Sequence, residues 1–212
     1  MSLSIWLMFT LAAFLTSLSP GPAILLAVSN AVSLGGRKAV WSSLGNATGI
    51  FVVSSVSMAG LGVVLATSAT LFLAFKSLGA VYLFYLGYKQ WTSKSNIFER
   101  VASLNTNKDS ALMLFRQGFL VAVTNPKSIV FFTALFPQFI QTNVSVTEQF
   151  LVLTLTFIAC SLLTHAFYVG LSHQVKSWFC NVRRAMWFNR VSGGGFMLFG
   201  LGLFRMQYKS NS

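Results

Sequence analysis

Two proline-bearing interruptions of long apolar stretches constrain this chain more than any other feature: Ser19-Pro20-Gly21-Pro22 near its start and Asn125-Pro126-Lys127 just past its middle. In lipid, every backbone N–H and C=O has to be satisfied within the protein, so irregular backbone at membrane depth persists only where it lines a cavity or is buried in protein. The composition puts these breaks in a membrane. Of 212 residues, 55% are hydrophobic and 8% charged, which is too apolar and charge-poor for an ordinary soluble domain. About 20 helical residues cross the ~30 Å hydrocarbon core. Six segments fit that length, at about 4–33, 40–66, 69–91, 111–141, 148–173 and 188–206. The expected fold is therefore an all-α polytopic membrane protein of six transmembrane helices, with helices 1 and 4 broken at their proline motifs. Residues 1–212 form a single membrane domain with no room for a soluble one.

The first segment does not read as a cleaved secretory signal, because it is too long and has neither a preceding Lys or Arg nor a small-residue cleavage site. Cys160 falls inside the fifth segment and Cys180 in the basic loop after it, environments too different for a disulfide.

A net charge of +12 raises the question of nucleic acid, and its distribution answers it. Arg37 and Lys38 fall in the first loop; Lys89, Lys94, Arg100, Lys108 and Arg116 in or beside the third; Lys176, Arg183, Arg184 and Arg190 in or beside the fifth. These are eleven of the 15 basic residues, while the second and fourth loops hold none. That alternation records orientation under the positive-inside rule. It makes the lipid bilayer the partner, with no nucleic acid, and puts the odd loops in the cytoplasm and both termini outside.

Segments one to three (1–105) can be laid over segments four to six (106–212). Pro20 matches Pro126 at an offset of 106, and Gly79 and Gly87 match Gly194 and Gly202 at an offset of 115. With three helices in each half, the second half enters from the opposite side. The result is a 3+3 inverted repeat of the secondary-transporter kind. Glycines also serve packing: Gly45 and Gly49 form a small-xxx-small face that lets helices approach closely.

Asn125-Pro126 has the form of a helix start, since Asn caps well and Pro at the first helical position loses no needed donor. Ser19-Pro20 repeats that logic. Each break is expected to end one half-helix and begin another near the membrane centre, with N–H groups and partial positive charge turned inward, where a carboxylate can sit. Lys127 would add a full positive charge to the second break. The expected division of labour gives charge to the Asn-Pro-Lys break and shape and gating to Ser-Pro-Gly-Pro. Against a simple proline kink stands the correspondence of two breaks in inverted halves. The acidic residues are Glu99, Asp109 and Glu148, all in or at the edges of loops. No carboxylate is available at depth to hold a permanent cation, so the guest is a zwitterion or a neutral derivative, whose ammonium group half-helix carbonyls and Asn, Ser or Thr oxygens can receive.

His165 is the candidate proton carrier, because imidazole titrates near neutrality; Lys127 and Lys76 are the others, although Lys76 reads better as snorkelling toward an interface. Ser161, His165, Tyr168 and Ser172 recur along one stripe of the fifth segment, with Thr164 beside it. A buried His that only bonds a neighbouring helix is the competing reading.

Four stretches resemble the LysE/RhtB family of bacterial amino-acid exporters: Leu18-Ser19-Pro20-Gly21-Pro22; Gly35 to Gly49; Lys76-Ser77-Leu78-Gly79-Ala80-Val81-Tyr82-Leu83-Phe84-Tyr85-Leu86-Gly87; and Gly118 through Thr124-Asn125-Pro126-Lys127-Ser128 to Phe136-Pro137-Gln138-Phe139. Together they cover about half of the chain. The resemblance implies efflux of amino acids or their derivatives by proton antiport, through a six-helix protein of the bacterial inner membrane that is able to form homodimers. The Asn-Pro-Lys stretch is most similar to the homoserine, homoserine lactone and threonine branch. Where many members carry an acidic residue in the second or fifth helix, this chain has Asn46 and His165.

Substrate-binding or gating candidates are thus Ser19, Pro20, Gly21, Pro22, Asn46, Asn125, Pro126 and Lys127, with His165 for proton coupling and an amino-acid-like solute and protons as partners. A passive channel or osmotic valve is the alternative from another class. No Cys pair or His and acidic cluster at depth supports a metal or redox cofactor, and no nucleophile with a positioned base supports an enzyme. Reporter fusions that read the side of the membrane should place both termini outside; a cytoplasmic terminus overturns the charge reading.

Overall fold

The computed structural model describes residues 1–67, 110–141 and 144–172, with short pieces between 77 and 92 and between 181 and 201, the side chains of 61–67 and of Ala134 apart. Most of the expected third and sixth segments lies outside the described residues. So do the boundary at 105, Lys76, Gly79, Gly202, Glu99, Asp109, Cys180, and the basic residues Lys94, Arg100, Lys108, Lys176, Arg205 and Lys209.

The described elements are helical. α1 (Leu3–Leu18) and α2 (Pro22–Leu34) form one span bent by 53°. α3 (Gly36–Thr67) follows after a single residue, Gly35, whose φ of 89° lies where only glycine is unstrained. α4 (Ala111–Thr124) and α5 (Pro126–Val130) open a second broken span, which continues as a π-helix over Phe131–Leu135 and a 3-10 turn over Phe136–Phe139 and bends by 50°. α6 (Val146–Gly170) is one unbroken helix. Among the described residues, α3 and α6 are each long and apolar enough to cross a membrane, and the two bent pairs raise the number of spans to as many as four. The protein is a multi-pass membrane protein.

One expectation is corrected. Arg37 and Lys38 do not lie in a loop but in the first turn of α3, both exposed, because Gly35 makes the reversal alone: it accepts backbone bonds from Lys38 and Ala39.

The irregular second span has a local cause. Pro137 lacks an N–H, and in an α-helix its ring would crowd the carbonyl of Thr133. The ladder widens ahead of it, with the Phe136 N–H reaching Phe131 O, and tightens behind it. The chain then turns over the side chain of Gln149, 3% exposed, which accepts from the Gln141 N–H at 2.9 Å and donates to Gln141 O at 2.8 Å and Val144 O at 3.3 Å. A buried amide thus satisfies backbone that a helix no longer does.

Two kinds of packing hold these spans. α3 and α4 cross at glycines: a Cβ on Gly45 would strike the carbonyl of Phe115, one on Gly118 the carbonyl of Ser42, and one on Gly49 would stand 2.6 Å from the Ala122 methyl. The small-xxx-small reading of Gly45 and Gly49 is borne out, with Gly118 and Ala122 supplying the facing surface. Elsewhere the core is aromatic. Phe9 of α1 meets Phe131, Phe136 and Phe139 edge-on at 5.8, 6.0 and 5.2 Å, and Phe157 of α6 meets Phe131 and Phe132 at 4.5 and 4.9 Å. Edge-to-face pairs of this kind add about 0.5–1.5 kcal/mol each beyond burial.

Gly118→Ala drives a methyl into the Ser42 carbonyl and should cost about 1–3 kcal/mol. Gly60→Ala, at a position where a Cβ meets open space, should leave stability unchanged or slightly raised. Thermal melting in detergent compares them. Equal melting of both variants and the parent would contradict the close crossing.

Candidate functional site

Both breaks line one cavity. Its walls include Thr16, Ser17, Ser19 and Gly21 from the first break, Asn125, Lys127 and Ser128 from the second, Asn46 and Ile50 from α3, and Phe157, Ser161 and His165 from α6. About 40 Å³ of it is open to water, room for a few ordered waters. Phe157 and Ile50 also belong to the aromatic and aliphatic core, so one wall is that core.

The second break is built as its sequence implies. Asn125 is extended (φ −72°, ψ 112°), its side-chain oxygen accepts from the Lys127 N–H at 3.1 Å, and Pro126 occupies the first helical position. The first break is different, which corrects the expectation that Ser19 caps the following half-helix. Ser19 instead ends α1: its N–H donates to Leu15 O, and α2 begins three residues later at Pro22 behind Gly21. The cause is the second proline. A residue before proline is pushed out of the α region, so both Ser19 and Gly21 are extended, and the helix can start only when Pro22 takes its first position.

Lys127 corrects a second expectation. Its charge is not added to its own break: the ammonium nitrogen donates to the carbonyl of Ser19 at 2.6 Å, the end of α1. The neighbouring carbonyl, Leu18 O, accepts from the Tyr168 hydroxyl at 2.9 Å. Carbonyls at a helix C-terminus carry partial negative charge and lack intrahelical partners, so a cation and a hydroxyl from other spans meet both needs. The breaks therefore share one interaction. Gly21 keeps the way clear, since a Cβ there would stand 3.8 Å from Lys127 Cδ.

The polar stripe is buried as expected: Ser161, Thr164, His165 and Tyr168 of α6, and Ser172 just past its end, are all at most 6% exposed. Asn46 Nδ2 donates to Ser161 Oγ at 3.3 Å. His165 Nδ1 and Ser43 Oγ share a hydrogen bond of 3.1 Å, and the Ser43 hydroxyl reaches Ala39 O at 3.2 Å. With its one proton on Ala39 O, Ser43 receives from Nδ1, and a neutral imidazole in that arrangement accepts at Nε2. Thr16, Ser17 and Asn46, which line the cavity, each bury a side-chain oxygen without a hydrogen-bond partner among the described residues.

Of the residues expected here, Ser19, Gly21, Asn46, Asn125, Lys127 and His165 line the cavity, while Pro20, Pro22 and Pro126 act through the backbone. Thr16, Ser17, Ser128 and Phe157 were not anticipated. Hydroxyls one turn ahead of a break, or one residue beyond a buried Lys, are the signal that could have found the first three.

The LysE type translocator family model matches residues 14–207. Among relatives, an uncharacterized membrane protein of Vibrio cholerae is 32% identical over 201 residues, 95% of this chain and 97% of that one. The homoserine/homoserine lactone efflux protein of Salmonella typhimurium is 32% identical over 195 residues, covering 92% and 93%. A leucine efflux protein of Enterobacter is 28% identical over 163 residues, 76% of each. No solved structure matches. With the match running through both breaks and nearly the whole length, the chain belongs to the LysE family of translocators.

Proposed function

We propose that this protein exports amino acids or their derivatives from the cytoplasm through the cavity between the two breaks. The observation that carries this reading is the Lys127–Ser19 bridge, which joins the broken helices at a cavity lined by unpartnered polar oxygens. Irregular backbone of this kind at membrane depth is the usual construction of a solute site in secondary transporters. Relatives named for homoserine, homoserine lactone and leucine efflux support the solute class. No acidic residue lines the cavity among the described residues, which favours neutral, homoserine- or threonine-like solutes over basic ones. A cavity with room for a few waters supports a carrier that opens in turn to each side over a standing pore.

Six helices in a 3+3 inverted repeat, 1–105 against 106–212, complete the proposal. It is supported by the like bends of the two broken spans and by Gly87 packing on Gly193 from the third and sixth segments, where a Cβ on Gly87 would stand 2.6 Å from the Gly193 carbonyl. The charge distribution favours cytoplasmic odd loops in the inner membrane. Proton antiport runs through His165, whose Nδ1 is anchored on α3 and whose ring borders the cavity.

Cells that overproduce the protein should show depletion of one or more intracellular amino acids, and an uncoupler should abolish the depletion. Loss of depletion with an uncoupler separates an exporter from a channel, which only equilibrates its solute. An unchanged amino-acid profile on both deletion and overproduction would refute export. His165→Ala should leave the protein in the membrane but remove the pH dependence of transport, whereas retention of full pH dependence assigns His165 to packing. Lys127→Met should reduce transport to background at unchanged membrane level, and normal transport by that variant removes Lys127 from the site.

A further inference from the structure

The cavity contains a cation that belongs to the protein and a helix end that suits a cation from elsewhere. The Lys127 ammonium has three donors, and among the described residues its hydrogen bond is to Ser19 O. That carbonyl closes α1, where partial negative charge gathers. Asn46 lines the same cavity, and its Oδ1 is buried without a hydrogen-bond partner among the described residues. Its orientation is set by the bond from Nδ2 to Ser161 Oγ, so the oxygen is committed as an acceptor. The site thus offers two acceptors suited to an ammonium group, and its own lysine occupies one of them.

We propose that Lys127 is a tethered stand-in for the ammonium group of the solute. Without solute it latches the two breaks together. An α-amino acid releases the latch by placing its own ammonium on Ser19 O and Asn46 Oδ1, and the freed Lys127 pairs with the solute carboxylate. The charge inside the membrane stays balanced through the exchange: the cation at the α1 end is replaced by another cation, and Lys127 gains an anion. Both charged groups of the solute are required. An amine alone would leave Lys127 displaced and unpaired, which is costly out of water; a carboxylate alone would draw Lys127 away and leave the α1 carbonyl unmet. The few waters' worth of room around the latched bridge fits a site that must open to admit its guest. A solute with a second positive charge would find no acidic side chain among the described residues of the cavity walls. The inference rests on the transport reading above and specifies what that site recognises.

Isothermal titration of the full-length protein in nanodiscs tests it with L-threonine and L-leucine, each beside its amino alcohol and its N-acetyl form. The unaltered protein should bind at least one of the two amino acids roughly tenfold or more tighter than either single-charge analogue. Lys127→Met should reverse the order, binding the amino alcohol more tightly than the amino acid, because Ser19 O is then free and the carboxylate partner is gone. Lys127→Arg should keep the original order at reduced affinity. A purely structural lysine would lose all ligands together on change to Met and would not reverse their order. Unaltered protein that binds the amino alcohol as tightly as the amino acid overturns the inference, even if Lys127→Met does not fold. So does a folded Lys127→Met protein that keeps the original order or binds nothing. If export is seen in cells, these outcomes remove the latch alone; absence of both export and amino-acid binding removes the transport reading with it.

Discussion

A carbonyl left unpaired in hydrocarbon costs several kcal/mol, and the end of α1 presents two of them to the interior. The contact between the Lys127 ammonium and Ser19 O at 2.6 Å, with Tyr168 on Leu18 O at 2.9 Å, is what allows the first span to be broken at all. It also fixes the second span. Lys127 is the residue after Pro126, and its backbone N–H is held by Asn125, so the position of one break is set by the other. α6 joins them through the phenol. Three spans are therefore tied at one place by groups that no single span could satisfy.

Around that knot the packing separates into two materials. The glycine crossing of α3 on α4 brings backbones close enough that side chains are excluded, which carries Asn46 of α3 toward the second break. The phenylalanine cluster of Phe9, Phe131, Phe132, Phe136, Phe139 and Phe157 packs as an apolar core that reaches the cavity through Phe157. Its shape depends on Pro137, since the π and 3-10 turns that Pro137 imposes rotate Phe131, Phe132, Phe136 and Phe139 all into the core. Polar groups and rings meet at Phe157 and Ile50, which belong to both the cavity wall and the core.

Much of this arrangement was legible in the sequence. The proline motifs located both breaks, the spacing of Ser161, His165, Tyr168 and Ser172 identified the buried stripe of α6, and Gly45 with Gly49 marked the close crossing. These are local signals, read from backbone chemistry and helical periodicity. The misread details were of another kind. Ser19 was expected to cap α2, but two alternate prolines hold two residues extended and move the helix start to Pro22. Arg37 and Lys38 were expected in a loop that Gly35 reduces to one residue.

The sequence by itself determined that the chain is a helical membrane protein, where its spans are interrupted, and which polar residues are placed at depth, because membrane thickness, proline geometry and the cost of unpaired polar groups act on each segment alone. Only the tertiary structure decided which partner each of those groups finds. Lys127 lies 108 positions from Ser19 and Tyr168 lies 150 from Leu18. No local rule couples residues so far apart; the coupling comes from helices that pack where their backbones approach most closely and their unpaired groups can meet.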